Sequence, residues 1–383
     1  MKYLSGSVVC LFLLGAVQLS AVDYSSIAAP SVIVTGVRST SATTDDVLIT
    51  GSQTTGGVTS AVLYSGSLAG AVSAPLSSWV VLAPTFEGQT ITSATLYGPN
   101  TSLFTPSIGA GNVMAVGSYK YAEGASGATF DHGLLYQGSV TGGGTFTQID
   151  ATPLVAPGTL LNTIAHSTMG SLVIGNYDTT LATGNAFIYN ASTLLWTNLN
   201  PGGSASTTAY GIWQNGGSAS TSFTIAGGLS DLSSGGLDEG YLVNYDSSTG
   251  LLSDFTKFHY NNQPVSALIS HFDGITATAA GFNLTGDYLT AGGGLGAFYA
   301  SVDRNETTGT FSNMKWTDIA FPGAEGTSGN TVVGDTVLGI YVTEGVEHSY
   351  IATVPEPTTA ISLLGGAGLL LLRRRKALAS ELK

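Results

Sequence analysis

The chain has 383 residues, of which only 9% are charged and 52 are glycine, and its mean hydropathy is +0.28. That leaves ample apolar surface to bury, which excludes intrinsic disorder, while scarce Lys, Glu and Gln beside abundant Gly, Ser and Thr favour strands and tight turns over helices. Between Asp23 and Thr353, 22 acidic residues face five basic ones (Arg38, Lys120, Lys257, Arg304, Lys315), a formal charge of −17 that repels nucleic acid and excludes it as a partner.

Residues 1–21 read as a secretory signal helix: Met1-Lys2, an apolar run from Val8 to Val17, then Leu19-Ser20-Ala21. Cys10, the only cysteine, lies inside this run, so the body has no disulfide and is stabilised by its core alone.

The body, residues 22–353, repeats. An apolar pair followed by glycine recurs as Ile49-Thr50-Gly51, Ala115-Val116-Gly117, Val173-Ile174-Gly175, Ile225-Ala226-Gly227, Ala279-Ala280-Gly281 and Val337-Leu338-Gly339. Each is followed by an apolar-aromatic strand, such as Ala61-Val62-Leu63-Tyr64 or Ala186-Phe187-Ile188-Tyr189. A third landmark pairs an aromatic with an apolar residue three positions on, as in Trp79 to Leu82, Trp196 to Leu199 and Trp316 to Ile319. Four short strands per ~55 residues, punctuated by Gly, Ser, Asn and Asp turns, are the pattern of a β-propeller blade. The sixth unit stops after Tyr350-Ile351-Ala352-Thr353, one strand short. Tyr24-Ser25-Ser26-Ile27-Ala28-Ala29-Pro30 aligns with Trp316-Thr317-Asp318-Ile319-Ala320-Phe321-Pro322 and supplies the missing strand. The expectation is an all-β, six-bladed propeller closed by its N-terminal strand.

The last segment, residues 354–383, contains Pro355-Glu356-Pro357, an apolar run from Thr358 to Leu372, and Arg373-Arg374-Arg375-Lys376. A helix of ~15 residues spans roughly 22 Å, short of the ~30 Å hydrocarbon core, and the arginines act as a cytoplasmic stop. Motif, short transmembrane helix and basic cluster, in that order, resemble the PEP-CTERM sorting signal of Gram-negative bacteria. The resemblance implies an exosortase-type processing enzyme as partner, with Pro355, Glu356 and Pro357 as a site acted upon. It also implies transient anchoring in the inner membrane, then release to the cell surface or extracellular matrix. The body loosely resembles HAF-type extracellular repeats at Asn185-Ala186-Phe187 and Leu295-Gly296-Ala297-Phe298, although the motif's histidine is absent there and only His132 sits comparably.

No catalytic constellation stands out. His132, His166, His259, His271 and His348 share no metal-ligand spacing, and no Gly-x-Ser-x-Gly elbow has plausible partners. Acidic loops at Asp246–Gly250 and Asp303–Gly309 read as turn chemistry. Neither a metal nor a cofactor is expected. Trp79, Trp196 and Trp316 recur in register and read as core. Trp213, in Gly211-Ile212-Trp213-Gln214, has no counterpart and is the one candidate for stacking on a ligand.

The resulting expectation is an exported binding or structural module, with extracellular polysaccharide as partner, more readily than an enzyme. A membrane receptor that keeps its tail is distinguished by the mass of the mature protein. The remaining alternative is a carbohydrate-active hydrolase or lyase using carboxylates at the propeller mouth. Two or more clustered acids with raised pKa in a central cleft are the mark of that alternative.

Overall fold

The computed structural model describes residues 21–355, except 87, 123–128, 183, 231–236 and 264–266. The signal segment 1–20 and the tail elements Glu356, Pro357, Arg373, Arg374, Arg375 and Lys376 lie outside the described residues; Pro355 is the last one inside. Among the described residues no helix is long and apolar enough to cross a membrane.

The body is all-β and propeller-like. After a short β1 (Asp23–Ser26), the first antiparallel meander comprises β2 (Val32–Ser39), β3 (Asp46–Thr55), β4 (Val58–Ser67) and β5 (Val80–Leu82). The second comprises β6 (Ile91–Thr101), β7 (Asn112–Tyr121), β8 (His132–Ser139) and β9 (Thr145–Gln148). The third comprises β10 (Leu160–Met169), β11 (Leu172–Thr179), β12 (Asn185–Asn190) and β13 (Leu195–Leu199). The fourth comprises β14 (Ser206–Gln214), β15 (Ser222–Ser230), β16 (Asp238–Asp246) and β17 (Leu251–Phe258). The fifth comprises β18 (Ile269–Ala277), β19 (Gly281–Leu289), β20 (Leu295–Arg304) and β21 (Phe311–Ile319). The last has three strands of its own: β22 (Gly326–Val333), β23 (Thr336–Thr343) and β24 (Val346–Thr353).

Its fourth strand is β1, paired antiparallel on β24 in the register Tyr24↔Ala352 and Ser26↔Tyr350. Single parallel pairings, Thr59↔Ser93 and Asp238↔Ile269, join the first meander to the second and the fourth to the fifth.

A lone sheet cannot cover both of its faces, so the core lies between sheets. One buried cluster joins Leu48 and Leu63 to Leu96, Leu134 and Tyr136, and another joins Phe187 and Val173 to Met114 and Leu135. A third joins Val34, Ile49 and Val62 to Leu338 and Ile351, so the last meander packs against the first. The recurrent tryptophans pack as their register predicts: Trp79 against Tyr64 at 5.3 Å, Trp196 against Tyr189 at 4.6 Å and Trp316 against Phe298 at 4.8 Å between ring centroids.

Every first strand carries a one-residue bulge at the same level, at Thr35, Tyr97, His166, Tyr210, Asp273 and Asn330. The bulge explains the recurrent glycine of the second strand. A Cβ at Gly51, Gly117, Gly175, Gly227 or Gly339 would lie 1.8–2.1 Å from the carbonyl oxygen two residues before the bulge, that of Ile33, Thr95, Ile164, Thr208 or Ser328. In the fifth meander the residue in this position is Gly286, 1.8 Å from the oxygen of His271, in Leu284-Thr285-Gly286. The assignment of the landmark to Gly281 is therefore corrected: Gly281 opens β19 and would meet the Val302 oxygen on the other neighbouring strand.

Candidate active site

A bulge leaves its extra residue unpaired and re-aims its side chain. Six bulges at one level bring six side chains to one place. Thr35, Tyr97, His166, Tyr210, Asp273 and Asn330, with Asp287 from β19, line a central cleft of about 160 Å³. One wall is aromatic. Tyr97, His166, Tyr210 and His271 follow one another with ring centroids 5.2, 4.5 and 5.2 Å apart. The facing side is polar, with Asp273, Asp287, Asn330 and Thr35. The Asn330 amide donates to the Val34 oxygen at 2.7 Å, tying the last meander to the first beside the cleft.

His271, Asp273 and Asp287 form the charged centre, with one polar atom of each lying within 4.8 Å of the other two. His271 Nε2 faces Asp273 Oδ1 at 3.4 Å. Gly228 makes room for it, since a Cβ there would lie 2.7 Å from that of His271. Burial on its own lowers the pKa of His271, but Asp273, Asp287 and Asp238 outweigh it and raise the imidazole to about 9, so it is a cation at neutral pH.

Asp287 is held by two donors, the Gly329 N–H to Oδ1 and the Ser328 hydroxyl to Oδ2, both at 2.7 Å. Burial and the charge of Asp273 raise it to about 6, against the lowering effects of His271 and these donors. Burial also raises Asp273, opposed by His271, and its Oδ2 is buried without a hydrogen-bond partner. The cleft thus holds a carboxylic acid able to keep its proton in mildly acid solution, beside a second carboxyl group ion-paired to His271. His166 is different: burial lowers it to about 4, and the neutral ring donates through Nε2 to Asn176 Oδ1.

The same three groups are a donor set that could hold a cation. Any ion would first have to displace the proton of a histidine raised to about 9 and compete with two donors already on Asp287.

Trp213 sits outside this cleft. The Arg38 guanidinium lies over its ring at 5.2 Å and Phe104 meets it edge-on at 5.1 Å, so protein groups engage the indole. The residues that do converge on the cleft carried no sequence motif. His166 and His271 were visible only as isolated histidines, and the one local trace is the small residue that follows each bulge: Gly36, Gly98, Ser167, Gly211, Gly274 and Thr331.

No protein-family model matches the sequence, and no curated protein is similar to it. Among solved structures, Trypanosoma rangeli sialidase superposes with a TM-score of 0.48 at 8% identity over 90% of this chain, which spans 58% of that protein's length. A protein described as a glycoside hydrolase gives a TM-score of 0.35 at 10% identity, covering 72% of this chain and 90% of that one. An arginine-to-alanine mutant of AofleA from Arthrobotrys oligospora gives 0.36 at 11%, covering 88% and 93%. The chemistry rests on the side chains of this chain.

The expectation of a binding or structural module is corrected here. The cleft meets the criterion set for the alternative, since two acids with raised pKa cluster at its centre. Sequence reasoning could not pair them because Asp273 and Asp287 lie on different strands.

Proposed function

We propose that the protein is a carbohydrate-active hydrolase that cleaves a glycosidic bond in the central cleft of a closed six-bladed propeller, the six meanders being its blades. The observation that carries this reading is the pair Asp273 and Asp287, with polar atoms within 4.8 Å of each other beside an aromatic wall. A sugar ring suits such a cleft: its C–H face packs on Tyr97 and Tyr210 while its hydroxyls reach Asn330 and Thr35.

Close carboxyl groups suit the retaining mechanism, since inverting enzymes separate theirs by ~6.5–9.5 Å to admit water. The Asp273 carboxylate attacks the anomeric carbon as Asp287 gives its proton to the departing oxygen. Water then attacks the glycosyl–Asp273 ester while Asp287 takes back a proton. His271, as a cation, keeps Asp273 ionised and oriented. The terminal segments support export, so substrate is met outside the inner membrane, with an exosortase-type enzyme acting at Pro355-Glu356-Pro357.

The test is release of reducing ends from a panel of extracellular polysaccharides and 4-nitrophenyl glycosides by the full chain. Release is expected from the wild type and not from the Asp273→Asn/Asp287→Asn double variant of unchanged circular dichroism. A silent wild type across the panel, or an equally active double variant, overturns the reading.

A further inference from the structure

Four turns of the third and fourth meanders, those joining β10 to β11, β12 to β13, β14 to β15 and β16 to β17, border a second cavity of about 320 Å³. It shares no lining residue with the central cleft. Gly170 and Gln214 on its wall each stand four residues beyond a bulge, at His166 and Tyr210, roughly 13 Å along an extended strand.

Gln214 is 9% exposed, and its amide is held in one orientation. Nε2 donates to the backbone oxygens of Ser220 at 2.7 Å and Ser218 at 3.3 Å. Turning the amide over would set its oxygen against two carbonyl oxygens, so Oε1 is fixed on the opposite side. There it is buried and has no hydrogen-bond partner. An acceptor left in that state is costly, and native structures supply a donor. Oε1 faces the space above Gly170: a Cβ at that residue would lie 3.4 Å from Oε1 and 3.4 Å from Phe223 Cζ. Glycine, at φ +61°, keeps that part of the wall open.

The lining decides the ligand class. None of the described residues around the cavity is charged, and most carry a hydroxyl or an amide, among them Ser192, Ser247 and Gln137. An anion brings no donor for Oε1 and meets no cation, while a cation meets no carboxylate. A neutral ligand rich in hydroxyls satisfies both conditions: one hydroxyl donates to Oε1, and its C–H edges meet Phe223 and Met114. The volume lies at the small end of ligand cavities and suits about one or two sugar residues.

We infer that this cavity is a binding site for a neutral sugar residue, with Gln214 Oε1 as the acceptor that recognises a sugar hydroxyl. The site stands apart from Asp273 and Asp287 and does not depend on the chemistry proposed for the cleft.

The experiment is native electrophoresis of the full chain through gels cast with dextran, laminarin or galactomannan, all neutral, beside an inert marker protein. Every chain carries Asp273→Asn/Asp287→Asn, so that no polymer is consumed. Retardation that saturates with polymer concentration is expected from at least one of the three. Gln214→Met, which removes the acceptor, and Ser192→Trp, which fills the cavity from an exposed position, are each expected to weaken it roughly tenfold or more. If Gln214→Met does not fold, Ser192→Trp decides. Unretarded migration in all three gels, or retardation that survives in Ser192→Trp, overturns the inference. Crystals soaked in the sugar of the retarding polymer are expected to show a sugar hydroxyl within hydrogen-bonding distance of Oε1; density for water alone there overturns it.

Discussion

Replacing Asp287 by asparagine removes the proton donor while keeping the shape of the side chain and one oxygen for the Gly329 N–H; the amide NH2 then faces the Ser328 hydroxyl, which can turn to accept from it. The magnitude follows from the raised pKa. With Asp287 titrating at about 6, half of the enzyme carries the required proton at pH 6 and about 1% at pH 8. The wild-type kcat/KM is therefore expected to fall about tenfold per unit above pH 6, reaching roughly 100-fold at pH 8. On the acid side it falls as Asp273, itself raised above the usual aspartate value, takes up a proton. The optimum thus lies in mildly acid solution. The Asp287→Asn variant is expected to lose roughly 100- to 10,000-fold on alkyl glycosides, whose leaving oxygen needs protonation, and far less on 4-nitrophenyl glycosides, whose leaving group departs as the anion. Its residual activity has no alkaline limb near pH 6. Steady-state rates on both substrate types from pH 4 to 9 are the assay. A variant that keeps the alkaline limb, or loses equally on both substrates, refutes the assignment of Asp287 as the acid.

Two further outcomes follow from the same geometry. The native pKa of His166 is about 4 against 6.5 unfolded, so the native state binds fewer protons between these values, and stability falls as the pH drops from about 6.5 towards 4. The full shift is worth at most about 3 kcal/mol. Urea unfolding at pH 7 and pH 4.5 is expected to show His166→Gln losing less stability on acidification than the wild type; an equal loss refutes a buried neutral His166. Where β1 joins the last meander, the Tyr24 hydroxyl accepts the Ala320 N–H at 3.0 Å and its ring meets Phe321 edge-on at 5.8 Å. Tyr24→Phe is expected to cost about 1 kcal/mol for the hydrogen bond, and Tyr24→Ala roughly 2–3 kcal/mol for the half-buried ring as well, by urea unfolding. No loss in either variant refutes a closing role for β1.

The repeat was legible because each unit meets the same packing problem. Its third strand is buried on both faces, so Leu63, Leu134, Phe187, Leu242 and Phe298 recur as large apolar residues. The seam was legible for the same reason: an outer strand needs its aromatic wherever in the chain it is encoded, and Tyr24 answers Trp316. What misled was the fifth glycine. Ala279-Ala280-Gly281 has the residue types of the landmark, but the cause of the landmark is the carbonyl thrust across by the bulge in the first strand. That carbonyl belongs to His271 and points at Gly286. Residue type without its partner strand could not choose between the two.

The site was hidden by the same device that builds it. A bulge breaks the two-residue alternation by which a strand's faces are read, so the side chain it turns inward is the one that periodicity assigns least well. The six inward residues are Thr, Tyr, His, Tyr, Asp and Asn, with nothing in common but a small neighbour that lets the adjacent first strand approach: a Cβ at Gly36 would lie 1.6 Å from the Tyr97 oxygen, and one at Gly98 lies 2.5 Å from that of His166. Packing therefore constrains the neighbour and leaves the bulged residue free to vary. Five of these positions carry hydroxyl, amide or aromatic groups, and one carries Asp273, placed against the second-strand Asp287 and the cation of His271. Equivalent backbone positions with inequivalent side chains give the cleft its two walls, and the asymmetry that the proposed chemistry requires lies in the one meander where the acids meet.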